Sequence, residues 1–349
     1  MGSATGGPLP TRKLPPGPLY AAIDLGTHNA RLLIAAAVSR YRFRIVDAYS
    51  RAVRLGEGLA VNASLGEPAM SRAIDALAVC AARIRRAAVG RVRAVATQAC
   101  RQAANGDAFL ARAAAETGIQ LTPITAVEEA ELTLAGCAQL VNPSCRHVLM
   151  FDIGGGSTEV MWVKQTHGFT PRIHAMASLP YGVVSFAERY GSDRVPPDSY
   201  RAMVAAVDAD LARFDAENGI GAALAGGGVQ MLGSSGTVTT LAAVHLALPH
   251  YQRSRVDGVV VDFDAMARVS RRLAAADLAG RAAVPCIGSD RADLVVAGCA
   301  ILEAICRRWP VGRLTVADRG IREGLLLAMM NEDWLADDGV RATGGGRGA

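Results

Sequence analysis

Leu149-Met150-Phe151-Asp152-Ile153-Gly154-Gly155-Gly156-Ser157-Thr158-Glu159-Val160-Met161-Trp162 is the stretch on which the reading of the whole chain turns. An apolar run, Val148 to Phe151, ends in Asp152, and a second run, Val160 to Val163, follows Glu159. Two apolar runs around a Gly-rich break predict a strand–turn–strand hairpin. Gly154, Gly155 and Gly156 carry no Cβ, so their backbone N–H groups can approach a ligand closely and adopt positive φ. Successive exposed N–H groups form an anion nest suited to phosphate. Ser157 and Thr158 add hydroxyl donors. Carboxylates on either side, Asp152 and Glu159, suit a metal ion or a positioned water beside the phosphate. The competing reading is a flexible turn between two core strands.

A second copy of the pattern lies 128 residues earlier, with Asp24 in the place of Asp152. The run Leu19 to Ile23 is followed by Asp24-Leu25-Gly26-Thr27-His28-Asn29, then Ala30-Arg31 and the apolar run Leu32 to Val38. The repetition predicts two lobes, each opening with the same phosphate-holding hairpin. Strands and helices alternate along the whole chain, which predicts an α/β class. Helical spacing marks residues 68–88, 105–117, 126–138, 196–214, 238–248, 292–307 and 321–331. Strands are expected over 41–53, 93–96, 121–125, 173–179, 230–232, 256–261 and 314–317. The Gly- and Pro-rich residues 1–17 read as a disordered arm, and residues 340–349 as a disordered tail. The expected division is a first lobe over 18–138, joined by the last helix over 321–335, and a second lobe over 139–320.

Composition narrows the function classes. The chain has 349 residues, 51% hydrophobic and 20% charged, with a formal net charge of +5; this is enough for two ordinary domains and their cores. Aromatic residues make up only 5%, and no basic–aromatic interleaving of the single-strand nucleic-acid type is read. Seven cysteines, an odd number without Cys-x-x-Cys, suit reduced thiols and a cytoplasmic location. No apolar stretch is long enough for a membrane span. The Gly-Lys-Ser/Thr phosphate loop and the Gly-x-Ser-x-Gly elbow are absent, which argues against P-loop and acyl-hydrolase chemistry. The histidines show no metal-ligand spacing.

Several residues outside the first stretch are candidates. Two facing hairpins would grip an anion between lobes. Arg31 follows the first turn, and Arg101 opens a helix, where backbone N–H groups favour anions; each would otherwise be an ordinary surface or salt-bridging arginine. Glu128 and Glu129 are adjacent, so on a helix they point about 100° apart. One of them can face the cleft and act as a general base; otherwise both are surface acids favoured by the helix dipole. Gly233-Ser234-Ser235-Gly236-Thr237 before a helix is a further nest for phosphate or nucleotide, or a stretch of small residues packing a helix on a strand.

With these residues assembled, the chain resembles the exopolyphosphatase/guanosine pentaphosphate phosphohydrolase (Ppx/GppA) family of the actin, sugar-kinase and heat-shock ATPase superfamily. Asp-Ile-Gly-Gly-Gly-Ser-Thr-Glu at 152–159 with Glu128-Glu129-Ala130 upstream carries the likeness, and matching segments run in order over all but the two tails. The resemblance implies two ribonuclease H-like lobes with the active site between them. It implies Mg2+-assisted attack of water on the terminal phosphoanhydride of polyphosphate, or of pppGpp. Glu129 would be the base, with Asp152 and Glu159 handling the metal and the water. Asp24, Gly26, Thr27, His28, Asn29 and Arg31 would bind phosphate, as would Gly154 to Thr158 and Ser235 to Thr237, and Arg101 would clamp the chain. Nucleic acid and membranes are not expected partners; two-lobed members often pair, so a homodimer stays open. The chain departs from the family at Thr27-His28-Asn29, where Ser-Asn-Ser is common. It also ends soon after the second lobe, where longer members carry a helical region with a His-Asp motif, so a short form is expected.

Overall fold

The computed structural model describes residues 17–165 and 171–344. Apart from Gly17, the expected N-terminal arm lies outside these. Eleven strands appear among the described residues: β1 Leu19–Leu25, β2 Asn29–Ser39, β3 Arg42–Ala52, β4 Arg91–Ala96, β5 Leu121–Pro123, β6 His147–Ile153, β7 Thr158–Lys164, β8 Arg172–Leu179, β9 Val229–Ser234, β10 Val260–Asp262 and β11 Arg313–Ala317. They form two sheets, ordered β3-β2-β1-β4-β5 and β10-β11-β9-β6-β7-β8. Taken from its other end, the second sheet repeats the first: an antiparallel three-strand meander, then a parallel strand beside its first member. The duplication holds to the residue, since Asp24 pairs with Arg31 in one hairpin and Asp152 with Glu159 in the other.

Burial explains why the hairpins are so apolar. β1 and β6 are central strands covered on both faces, and the run Val148 to Phe151 is wholly buried, which removes the in–out alternation of a half-exposed strand. Parallel strands and hairpin tips end at the same edge of each sheet, and the two edges face each other across the cleft.

The Ala126–Cys137 helix follows β5, and the Ile321–Gly344 helix follows β11. The two cross at very short range. A Cβ at Gly136 would stand 2.2 Å from the Gly320 carbonyl oxygen, and one at Gly324 would stand 2.1 Å from that of Leu132. The last helix leaves the second sheet and buries Leu325, Leu326, Met329 and Met330 against Tyr20, Ala22, Leu33 and Ala35 of the first. Gly324→Ala is therefore expected to destabilise the fold by about 1–3 kcal/mol through overpacking against rigid backbone. Thermal unfolding should show a melting point lowered by several degrees; an unchanged melting point would mean that the crossing opens freely.

Away from this crossing, Arg54 donates to both oxygens of Asp293, at 2.6 and 3.0 Å, and the Gly58 N–H donates to Glu188 at 2.8 Å. The lobes are thus joined at more than one place.

Two expectations change. The strand expected over 256–261 is shorter, because Val256 closes a helical turn and Gly258, at φ 84°, breaks the run before β10. The last helix continues through Gly344 rather than giving way to a tail at 340; no proline interrupts it, and each added residue gains one hydrogen bond. Residues 345–349 lie outside the described residues. Among the described residues no helix is long and apolar enough to cross a membrane.

Candidate active site

The cleft holds a cavity of about 340 Å³ lined by both hairpin turns, the start of the Gly236–His245 helix and the start of the Ile321–Gly344 helix. The two turns have one construction. Gly26 N–H donates to the Asn29 carbonyl at 2.8 Å, and Gly154 N–H donates to that of Ser157 at 2.9 Å. Between these closures the N–H groups of Thr27 and His28, and those of Gly155, Gly156 and Ser157, bond to no described residue. Two short rows of free donors therefore line the cavity, an arrangement that suits anions.

The glycine triplet has a different origin from the expected one. None of Gly154, Gly155 and Gly156 has positive φ. Their bareness is a matter of packing. A Cβ at Gly155 would stand 2.9 Å from Thr27 Cβ and 3.2 Å from His28 N, and one at Gly156 would stand 1.8 Å from Gln98 Oε1. At Gly155 the turn of the second lobe is pressed against that of the first, whereas Gly156 faces the end of the Gln98 side chain and Gly154 the Ser157 carbonyl of its own turn.

Positive charge is held ready in the cavity. Arg31 and Arg322 line it and make no hydrogen bond or ion pair with any described residue. Arg291 also lines it and donates to Thr240 Oγ1 at 2.9 Å. A Cβ at Gly236 would lie 3.8 Å from Arg31 Nη2 and 3.9 Å from Arg291 Cζ. Two guanidinium groups thus flank a helix N-terminus, where N–H groups and the dipole already favour an anion.

Facing them are carboxylates. In the helix opening at Ala126, Glu128 is the capping residue: it accepts from Thr125 N–H at 2.7 Å while Thr125 Oγ1 accepts from Glu128 N–H, a reciprocal cap. Glu129, one residue on, turns into the cavity. Burial, and then the charge of Glu159, push its carboxyl well above the usual range. Arg101 works against this, donating to Glu129 Oε2 at 3.0 Å. Asp152 lines the cavity without accepting a hydrogen bond from any described residue, and burial pushes it up to about 8. Asp24 Oδ1 is buried with no partner, and burial raises that carboxyl as well.

Three of the sequence-derived candidates are placed differently from expectation. Arg101 does not line the cavity; its guanidinium is spent on Glu129 and on the Ile124 carbonyl. Thr158 is fully buried and donates its hydroxyl to the Tyr181 carbonyl, because it is the first strand residue after the turn. Glu159 is only 2% exposed, and its Oε1 accepts from Ser157 at 2.7 Å and from Ser178 at 2.9 Å. It stands behind the cavity wall as a buried charge rather than as a direct ligand. Ser235 lines the cavity with Ser234, Gly236 and Thr237, and its hydroxyl also caps the helix by accepting from Val238 N–H at 3.0 Å.

His28 lines the cavity, 7% exposed, with neither ring nitrogen partnered. Burial, with Arg54 next, lowers it to about 4, so the ring is neutral at physiological pH. It offers one donor and one acceptor where the family commonly has an amide. Gln98, Arg291, Arg322 and Tyr251 also line the cavity and were not among the sequence-derived candidates. The repeat could have pointed to Arg322, since it opens the helix after β11 as Glu129 opens the helix after β5.

The Ppx/GppA phosphatase family model matches residues 33–333. The chain belongs to the Ppx/GppA phosphatase family. A guanosine-5'-triphosphate,3'-diphosphate pyrophosphatase of Photobacterium profundum is 31% identical over 325 residues, covering 91% of this chain and 60% of that protein. A putative exopolyphosphatase of Haemophilus influenzae is 29% identical over 93% of this chain and 94% of its own length. The solved Ppx/GppA family member of Aquifex aeolicus superposes with a TM-score of 0.73 at 26% identity, over 90% of this chain and 98% of that one. The two-sheet actin-like fold is thus that of Ppx/GppA proteins. The chain spans about 60% of the length of the pyrophosphatase relatives it matches.

Proposed function

We propose that this Ppx/GppA chain is an exopolyphosphatase, releasing orthophosphate from the end of inorganic polyphosphate. The observation that carries the reading is Glu129, a buried carboxylate of raised pKa, facing a cavity whose other walls are free N–H rows and uncommitted arginines. The donors of both turns hold the non-bridging oxygens of the terminal phosphate. Arg31, Arg291 and Arg322 neutralise the phosphates that follow. Glu129 takes the proton of a water as its oxygen attacks the terminal phosphorus; the bridging P–O bond breaks, and the shortened chain leaves as the anion. Positioning and charge neutralisation supply the acceleration.

Mg2+ fits the residues present. Asp152 and Asp24 are cavity carboxylates without hydrogen-bond partners, hard oxygen donors of the kind Mg2+ takes in ones or twos together with phosphate oxygens. Among the described residues there is no full cage of three or more His, Cys, Asp or Glu side chains, consistent with a cation shared with substrate. When bound, Mg2+ would neutralise charge on the transferred phosphate.

A second reading is pppGpp hydrolysis, favoured by the pyrophosphatase relatives and by Tyr251, whose 37%-exposed side chain lines the cavity. A non-hydrolytic nucleotide binder has no use for a desolvated base at this position. Phosphate release from polyphosphates of several lengths and from pppGpp, with and without Mg2+, decides among them. Release from polyphosphate is expected; release from neither substrate would sink the hydrolase reading. The seven cysteines are all free, which supports action in a reducing compartment, proposed to be the cytoplasm.

A further inference from the structure

Between Gly26 and Gly56 the chain carries six arginines and a single acid, Asp47, and from Ala76 to Gly106 six more arginines and no acid. The fold gathers many of these on one face. β3 is the free edge of the first sheet. Its register places Arg44, Asp47, Tyr49 and Arg51 opposite Ala36, Ile34, Leu32 and Ala30, all on the face packed by the Glu67–Arg86 helix; Arg42, two before Arg44, shares it. Arg83 of that helix chelates Asp47 at 2.9 and 3.0 Å, cancelling the lone acid. Arg42, Arg44 and Arg51 are exposed and make no hydrogen bond or ion pair with any described residue. Ser50 lines the cavity, and Arg51 beside it opens onto this face. From Arg51 to Arg42 an extended strand runs roughly 30 Å.

We propose that the exposed arginine row of β3 is an exosite for the part of a polyphosphate chain that lies outside the cleft. The inference rests on the exopolyphosphatase reading and adds to it a second, sequence-distant contact for long substrates. The strand carries one basic–aromatic run, Arg40 to Arg44. Of its aromatic rings only Tyr41 is well exposed, at 58%. Phe43 packs against the core, Tyr41 lies 5.0 Å beneath the Arg40 guanidinium, and Tyr49 lies 5.0 Å beneath Arg83. A single exposed ring offers no row of stacking platforms for successive bases, so the face suits bare phosphate better than nucleic acid. Arginines on an edge strand also block pairing with another strand. Glutamate does that equally well, so an Arg→Glu exchange isolates the sign of the charge.

The test compares the unaltered protein with R42E/R44E/R51E and with R268E/R271E/R272E, a charge-matched control on the exposed side of the Phe263–Ala275 helix. Circular dichroism checks folding, and R42Q/R44Q serves as a milder variant. KM for long-chain polyphosphate is expected to rise about tenfold in the β3 variant and to lose much of its salt dependence. KM for tripolyphosphate, which stays within the cleft, should not move. An equal change on both substrates, or the same change in the control, overturns the exosite and leaves the exopolyphosphatase reading standing. Should the unaltered protein release no phosphate from either substrate, that reading fails, and direct binding of long-chain polyphosphate decides the exosite: weaker binding by the β3 variant alone supports it, and equal binding overturns it. Displacement of long-chain polyphosphate by single-stranded RNA at a lower phosphate concentration would overturn the choice of ligand.

Discussion

Glu129→Gln is expected to lower kcat for phosphate release by about 100- to 10,000-fold, the range that a general base supplies. The amide keeps the size of the side chain and an oxygen that can accept from Arg101, so the cavity should keep its shape. What it loses is the ability to take a proton. Binding of polyphosphate, measured by equilibrium methods, should persist at near-normal Kd. Turnover within a few-fold of the unaltered protein would return Glu129 to the status of a buried acid held by an ion pair. The pH dependence carries a second check. Burial and the charge of Glu159 raise the Glu129 carboxyl, and the base acts only when deprotonated. In kcat/KM, which reports the free protein, the acid limb should therefore lie above the ordinary carboxylate range, with activity rising toward the alkaline side.

Arg101→Ala should move that limb further up. The guanidinium favours the charged form of Glu129 through its hydrogen bond and its field; removing it leaves a desolvated carboxyl without its cation, and the pKa rises. A loss of up to about tenfold is expected at neutral pH for each pH unit by which the carboxyl ionises higher, because it is then up to about tenfold less deprotonated there. Much of it should return as pH increases. A clamp on the phosphate chain would behave differently, raising KM by a similar factor at every pH. The pH profile therefore separates a positioning residue for the base from a substrate contact. A pH-independent rise in KM would overturn the positioning role.

The sequence carried the repeat. Two Asp-apolar-Gly turns in matched apolar surroundings implied two hairpins and two lobes, and the structure has them in equivalent registers. The family was legible for the same reason, since its marks are contiguous runs whose chemistry sits in neighbouring residues. The family likeness pointed to Glu129 over Glu128, but spacing alone did not separate them. Both are acids in the first turn of one helix, and only the capping bond of Glu128 to Thr125 shows which is spent. The role of Arg101 was obscure as well, because its partner lies 28 residues away on another element. Arg291 and Arg322 look like any surface arginine until two helices aim them at one cavity.

By itself the sequence determined the α/β class, the duplication and the two glycine-bearing turns, because hydrophobic period and glycine position are local properties of the chain. The tertiary structure alone decided which side chains face the cleft and which are already committed. It showed that Gly155 is bare because the opposite turn presses on it, and that no glycine of the 154–156 triplet has positive φ. It moved Glu159 behind the wall and brought Asp24, Asp152 and Glu129 to the front. Such outcomes depend on contacts between residues far apart in the chain, and a hydrogen bond or a desolvation at that range leaves no trace in local spacing.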